Sequence, residues 1–239
     1  MTSQKKFAVF DIDGTLIRWQ LYHAIVTELA RQGNLSESAR NAIRESRMTW
    51  KRRTHSESFH DYEKVLVSEY HAALKNLQVK DYDKAIEKVF DTYKDQVYTY
   101  TRDLLKELKA KGYILFAISG SHTEIIEKLA DYYGIDESVG QYHEQKNGRL
   151  TGKFISTVLG KSEILKSLIK KYGVSLKDSI AVGDSESDIG LLELVENPIA
   201  FNPSKGLFNK AGQKGWKIVV ERKNMVYELE NKDGRYILA

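Results

Sequence analysis

Asp11 and Asp13 stand one residue apart at the end of the apolar run Phe7-Ala8-Val9-Phe10, and Gly14-Thr15-Leu16 follows at once. Alternate side chains of an extended chain share a face, so both carboxylates project into one small volume, and Gly14 permits a tight departure of the backbone. Two unit charges about 4 Å apart repel by roughly 4 kcal/mol at an effective dielectric near 20, so the pair needs a cation, a shared proton or both. A turn or a helix cap is the plainer use of Asp and Gly at such a place.

Three further stretches carry reactive groups. The apolar run Tyr113 to Ile118 leads into Ser119-Gly120-Ser121, with a helix expected from about Thr123. A hydroxyl and free backbone N–H groups at a helix start bind anions, although Ser there is also an ordinary N-cap. Lys161 opens an amphipathic helix with Leu165, Leu168 and Ile169. A cation at a helix start opposes the dipole, so Lys161 is either held there by a partner or lies on the surface. Ser179 to Val182 ends in Gly183-Asp184, and Asp188 follows four residues on, before Leu191, Leu192 and Leu194. If Asp188 begins the next helix, both carboxylates face one pocket, and hard oxygens on separate loops suit Mg²⁺. An acidic helix start is the alternative.

The elements that must position these groups alternate strand and helix, which predicts an α/β fold with a parallel sheet whose ligands lie beyond the carboxyl ends of the strands. From about Ile17 to Val97 the pattern is helical throughout: Leu21, Ile25 and Leu29, then Tyr62, Leu66, Tyr70 and Leu74, then Tyr82, Ile86, Phe90 and Tyr93. An all-helical insertion is expected there. Within it Arg40, Arg44, Arg47, Lys51, Arg52 and Arg53 are offset only by Glu45. They read either as a solvated helix face or as a surface that clamps an anionic substrate. Trp50 beside them either packs or stacks on a ligand. Asn147-Gly148 between short extended segments predicts a hairpin. Trp216 to Val220 reads as an edge strand, and Val226 to Glu230 is expected to pair with Tyr236 to Leu238 across Asp233-Gly234.

Asp11-Ile-Asp13-Gly14-Thr15-Leu16, Ser119, Lys161 and Asp184 with Asp188, in that order, resemble the four motifs of the haloacid-dehalogenase-like hydrolases, a superfamily of mostly magnesium-dependent phosphatases. The resemblance runs from Phe7 to about Pro203. It implies a Rossmann-like parallel sheet core from residues 1–16 and 98–239, with a helical cap domain over 17–97 that covers the site and selects substrate. It also implies roles. Asp11 is the nucleophile and Asp13 the general acid and base. Ser119, Gly120 and Lys161 bind phosphate, and Mg²⁺ is held by Asp11, Asp184 and the Asp13 carbonyl oxygen. Asp188 orients metal water or Lys161. Dehalogenases of the superfamily lack the second aspartate, so Asp13 favours phosphoryl transfer.

The helical insertion and the hairpin ending Gly148-Arg-Leu-Thr-Gly152 look most like the phosphoserine-phosphatase branch. Where that branch has an early cap glutamate for the substrate ammonium group, this chain has Gln20, which weakens the charge match. Gln20, Arg52 and Arg53 are the candidate cap contacts to substrate. The expected activity is hydrolysis of a small phosphomonoester through an aspartyl phosphate. Phosphoserine phosphatase proper, a phosphotransferase and a non-catalytic binding protein are the alternatives.

Composition bounds the rest. The chain has 239 residues, 41% hydrophobic and 10% aromatic, enough to bury a core. With 37 Lys and Arg against 33 Asp and Glu, the excess of +4 is too small and dispersed to predict nucleic-acid binding. The chain has no cysteine, which removes disulfides, thiolate metal sites and cysteine nucleophiles. Met1 to Lys6 pass directly into the first strand without an apolar leader, so the expected location is the cytoplasm and the expected partner a small phosphorylated metabolite, with no membrane.

Overall fold

Phe7, Ala8, Val9 and Phe10 are all fully buried. Neighbouring side chains of a strand point to opposite faces, so this pattern requires a sheet covered on both sides, the situation of a central parallel strand. The computed structural model describes residues 5–55, 57–75, 77–232 and 234–239. Met1 to Gln4 of the expected N-terminal lead and Asp233 of the expected turn lie outside the described residues.

In chain order the elements are β1 (Lys6–Phe10), α1 (Leu21–Arg31), α2 (Glu37–Lys51), α3 (Ser58–Leu74), α4 (Val79–Tyr93), α5 (Thr99–Ala110), β2 (Ile114–His122) and α6 (Thr123–Tyr133). There follow β3 (Glu137–Lys146), β4 (Arg149–Ile155), α7 (Lys161–Tyr172), β5 (Ser175–Gly183), a 3₁₀ turn (Glu186–Asp188) and α8 (Ile189–Leu192). The last are β6 (Asn197–Phe201), α9 (Lys205–Lys214), β7 (Lys217–Arg222), β8 (Met225–Lys232) and β9 (Arg235–Leu238). The chain divides into two compact units: Met1–Gln20, Tyr93–Gln141 and Ser156–Ala239 form one, Leu21–Thr92 and Tyr142–Ile155 the other.

In the first unit the sheet order is β3-β2-β1-β5-β6-β7-β8-β9. It is parallel from β3 to β7 and antiparallel beyond. Phe7, Val9, Phe116, Ile118, Ala181 and Ile218 of the sheet share a core with Leu165 and Leu168 of α7, Leu191 and Leu192 of α8, and Leu207 and Ala211 of α9. Burial of each large side chain contributes about 1.5–3 kcal/mol. Helices α5 and α6 pack on β2, with Leu105, Leu108, Ile125, Ile126 and Leu129 buried.

This order has a direct chemical consequence. Phe10 pairs with Ala117 of β2 on one side and Val182 of β5 on the other. The residues just beyond these three positions emerge along one edge, as expected for an open parallel sheet.

Within the first unit the structure corrects two expectations. Ser119-Gly120-Ser121, expected as a loop, belongs to β2, at a register shift between Ile118 and His122 where pairing with β3 lapses and resumes. Strand β7, expected at the edge, lies between β6 and β8, because the C-terminal hairpin folds back onto it. The edge is β9.

The second unit is not all-helical. Besides α1 to α4, which bury Leu21, Ile25, Leu29, Tyr62, Leu66, Tyr70, Leu74, Tyr82 and Ile86, it contains residues 142–155 of the β3–β4 hairpin. Asn147 and Gly148 make the turn with φ of 52° and 71°, the left-handed pair a two-residue hairpin needs. The hairpin joins this unit because Leu150 N donates to Leu77 O at 2.9 Å and Val79 N to Gly148 O at 3.0 Å. The unit boundaries fall after Gln20 and Thr92, where the sequence pattern had placed them after Leu16 and Val97. Among the described residues no helix is long and apolar enough to cross a membrane.

Candidate active site

Asp11 follows β1, and its backbone N–H extends the sheet by donating to Val182 O at 2.9 Å. The sheet therefore holds the main chain from which its side chain projects. Lys161 Nζ donates to Asp11 Oδ1 at 2.7 Å and to Asp188 Oδ1 at 2.6 Å, all three groups being buried. The partner that holds Lys161 at its helix start is thus a pair of carboxylates. Burial alone would push the Lys161 ammonium down, but Asp11 and Asp188 outweigh it and its pKa is raised.

Asp188 is engaged on both oxygens. Its Oδ2 accepts from Asp184 N at 3.1 Å, Ser185 N at 3.0 Å and Ser185 Oγ at 3.1 Å. Ser185 and Asp188 form a capping box around the 3₁₀ turn. Asp188 therefore ties the ammonium to the loop that carries Asp184. Gly183 allows this approach, since a Cβ there would lie 2.4 Å from the Asp188 Cβ.

Carboxylate oxygens of Asp11, Asp184 and Asp188 lie within 4.8 Å of one another. At that separation each charged pair repels by roughly 3–4 kcal/mol, and one ammonium does not balance three carboxylates. Without a further cation the strain appears as protonation. Burial, then the Asp11 and Asp188 charges, push Asp184 up to about 9. Burial likewise raises Asp11 to about 7 despite Lys161. A hard divalent cation fits this set of oxygens and supplies the missing charge. Asp11 and Asp184 are the better donors, because the Asp188 oxygens already accept four hydrogen bonds.

Asp13 Oδ2 accepts from Ser119 Oγ at 2.8 Å, and the same hydroxyl accepts from Ser121 N at 2.9 Å. The Ser119 proton is thus spent on Asp13. Gly14 has φ of +80°, and a Cβ there would stand 2.1 Å from Asp184 Oδ2. Only glycine lets the Asp13 turn pass so close to the second acidic loop.

Six sequence-level candidates, Asp11, Asp13, Ser119, Lys161, Asp184 and Asp188, therefore meet in the first unit, with Gly120 beside Ser119 in β2. Gln20 is half-buried just before α1. Arg52 and Arg53 are exposed at the end of α2 in the second unit, Arg53 with φ of 49°. Trp50 packs within the second unit: it lies flat on Tyr62, with ring centroids 5.4 Å apart, and edge-on to Phe59 at 5.0 Å. Sequence reasoning gave Ser185 no capping role, although the Ser-x-x-Asp spacing announces a capping box. It also missed Thr157, whose hydroxyl donates to Ser119 O at 2.5 Å; nothing local marks that contact.

A family model described as haloacid dehalogenase-like hydrolase matches residues 8–193, which takes in all of these motifs. The chain belongs to the haloacid dehalogenase-like hydrolases. The relatives of this hydrolase include a phosphoserine phosphatase of Methanocaldococcus jannaschii, 28% identical over 214 residues and covering 88% of this chain and 92% of that protein. A histidinol-phosphatase of Neisseria meningitidis serogroup C is 26% identical, over 90% of this chain and 98% of that protein. Among solved structures, a phospho-aspartyl intermediate analogue of phosphoserine phosphatase aligns with a TM-score of 0.62 at 25% identity, over 92% of this chain and 95% of that one.

Proposed function

We propose that this enzyme is a magnesium-dependent phosphatase that cleaves a small phosphorylated metabolite in the cytoplasm through an aspartyl phosphate on Asp11. The observation that carries this reading is the buried contact of Asp11 with Lys161 at 2.7 Å inside a cluster short of positive charge. A carboxylate so placed is oriented for attack, and the charge deficit matches a bound cation and an incoming anion.

In this reading an Asp11 oxygen attacks phosphorus and the bond to the leaving oxygen breaks, while Asp13 gives that oxygen its proton. Water then attacks the aspartyl phosphate, Asp13 takes the proton back, and inorganic phosphate leaves as the Asp11 carboxylate is restored. Lys161 and the Ser119-Gly120 segment hold the phosphoryl oxygens. Ser119 has its hydroxyl on Asp13 at 2.8 Å, so it turns to phosphate only as Asp13 changes partner, which couples anion binding to the state of the acid. Asp188 fixes Lys161 and the Asp184 loop. Asp11, Asp184 and the Asp13 carbonyl oxygen would hold Mg²⁺, whose chemistry is to offset repulsion between the nucleophile and a phosphate dianion.

Residues 1–20, 93–141 and 156–239 form the catalytic core in this reading, and 21–92 with 142–155 a cap. The two relatives named above carry different substrates in their names, and Gln20 is neutral, so substrate choice is left to assay. A panel of phosphomonoesters that includes phosphoserine, histidinol phosphate and p-nitrophenyl phosphate, with Mg²⁺ or EDTA, tests the proposal. Magnesium-dependent phosphate release abolished by Asp11→Asn is expected. Absence of release from every ester by the wild type would sink it.

A further inference from the structure

Between β4 and α7 the chain runs Ser156-Thr157-Val158-Leu159-Gly160, and Leu159 is wholly exposed, with Val158 40% exposed. Thr157 is the exception at 3%. Its hydroxyl turns inward onto Ser119 O at 2.5 Å, and its own carbonyl accepts from Gly160 N at 3.0 Å, closing a turn that ends at Lys161. A buried polar side chain in an exposed stretch has been desolvated for some return, and here that return is one long-range hydrogen bond.

We infer that Thr157 is a positioning residue for the phosphoryl group, acting through the Ser119–Gly120 peptide. The inference rests on the phosphatase reading above. Its warrant is peptide planarity: the Ser119 carbonyl and the Gly120 N–H belong to one rigid trans unit and point in opposite directions. A hydroxyl that fixes the carbonyl therefore aims the N–H. Val158 limits the same segment from the side, since its Cγ2 lies 3.0 Å from where a Gly120 Cβ would stand. The turn thus holds the carbonyl of the Ser119–Gly120 peptide at one end and leads into Lys161 at the other; the Gly120 N–H and Lys161 are the two groups that would share the phosphoryl oxygens. The side chain of Thr157 sets how the amide faces, and the turn sets where the lysine begins.

Thr157→Val keeps shape and removes the hydroxyl, Thr157→Ser keeps the hydroxyl, and Thr157→Ala guards against a misfolded valine variant. Orthophosphate binding is measured by calorimetry in the presence of Mg²⁺, and turnover with p-nitrophenyl phosphate and an alkyl phosphate. The expected result is a Kd for orthophosphate weakened about tenfold in the valine and alanine variants, the worth of one good hydrogen bond, and about unchanged in the serine variant. The loss in kcat/KM should be the same for both esters, because the peptide faces the phosphoryl group and not the leaving group. Equal phosphate binding by wild type and Thr157→Val, a serine variant as impaired as the valine one, or a loss that depends on the leaving group would each overturn the inference while leaving the phosphatase reading intact. A wild type that binds no orthophosphate would overturn the inference as well. Failure of the phosphatase reading shows separately, as absence of turnover in the wild type.

Discussion

Asp188 accepts from Lys161 Nζ on Oδ1 at 2.6 Å while its Oδ2 accepts from the backbone N–H of Asp184 and Ser185. One buried carboxylate thereby joins helix α7 to the loop after β5. Asp188→Ala leaves three donors without their acceptor and takes one of two counter-charges from Lys161. Relief of repulsion with Asp11 and Asp184 offsets part of the loss. The expected net cost is about 2–4 kcal/mol, read as a lower urea midpoint at unchanged slope. A variant as stable as the wild type would show that the repulsion dominates.

Asp184 makes the metal-free protein sensitive to alkali. Its folded pKa of about 9 lies above the ordinary value of 3.8, so the folded state holds a proton that the unfolded state releases, and stability falls as pH rises through that window. In EDTA the melting temperature should decline from mildly acid to alkaline pH. Added Mg²⁺ should raise it most at the alkaline end, where no proton has to be displaced. Asp184→Asn should flatten the EDTA profile and remove the magnesium response. An unchanged magnesium response would place the ion elsewhere.

Gly14→Ala meets two obstacles: φ of +80° and a contact of 2.1 Å with Asp184 Oδ2. The expected cost is about 1–3 kcal/mol, with weaker magnesium stabilisation because Asp184 must move. Parallel denaturation with and without Mg²⁺ separates the two effects.

His143 is 1% exposed, and burial, with His71 beside it, lowers its pKa from 6.5 to about 4. The unfolded chain then binds a proton that the folded chain refuses, so stability is lost as pH falls from 6.5 toward 4. Between pH 7 and pH 5 this amounts to roughly 2 kcal/mol. His143→Gln should reduce the acid slope in denaturation experiments, and an unaltered slope would refute the assignment.

Asp13→Asn removes the proposed proton donor. The penalty should be smallest for p-nitrophenyl phosphate, whose leaving group needs little help, and larger by about tenfold or more for an alkyl phosphate. Equal losses on both esters, measured as kcat/KM, would assign Asp13 to the water-activation step alone.

Much of this was legible locally. The run Phe7 to Phe10 announced a buried strand by its unbroken apolar character. Asn147-Gly148 announced a hairpin by its tolerance of positive φ, and the four-residue spacing from Tyr62 to Leu74 a helix. Motif order carried the family. Where the reading slipped, the deciding contact was distant. Trp216 to Val220 looks like an edge strand because nothing in its own residues reports that β8 returns to cover it. The hairpin at 142–155 shows no local sign of the hydrogen bonds from Leu77 and Val79 that place it with the helices.

What the sequence determined by itself is therefore what residues impose on their near neighbours: strand and helix periodicity, turn chemistry, and the placing of Asp11 and Asp13 on one short exit from the sheet. The tertiary structure alone decided that Lys161 meets Asp11 across 150 positions of chain, that the Ser119 proton goes to Asp13, and that Thr157 reaches the Ser119 carbonyl. These contacts depend on the order of the strands. With β1 between β2 and β5, three segments far apart in the chain end along one edge, and the charges and hydrogen bonds formed there follow from the sheet as a whole.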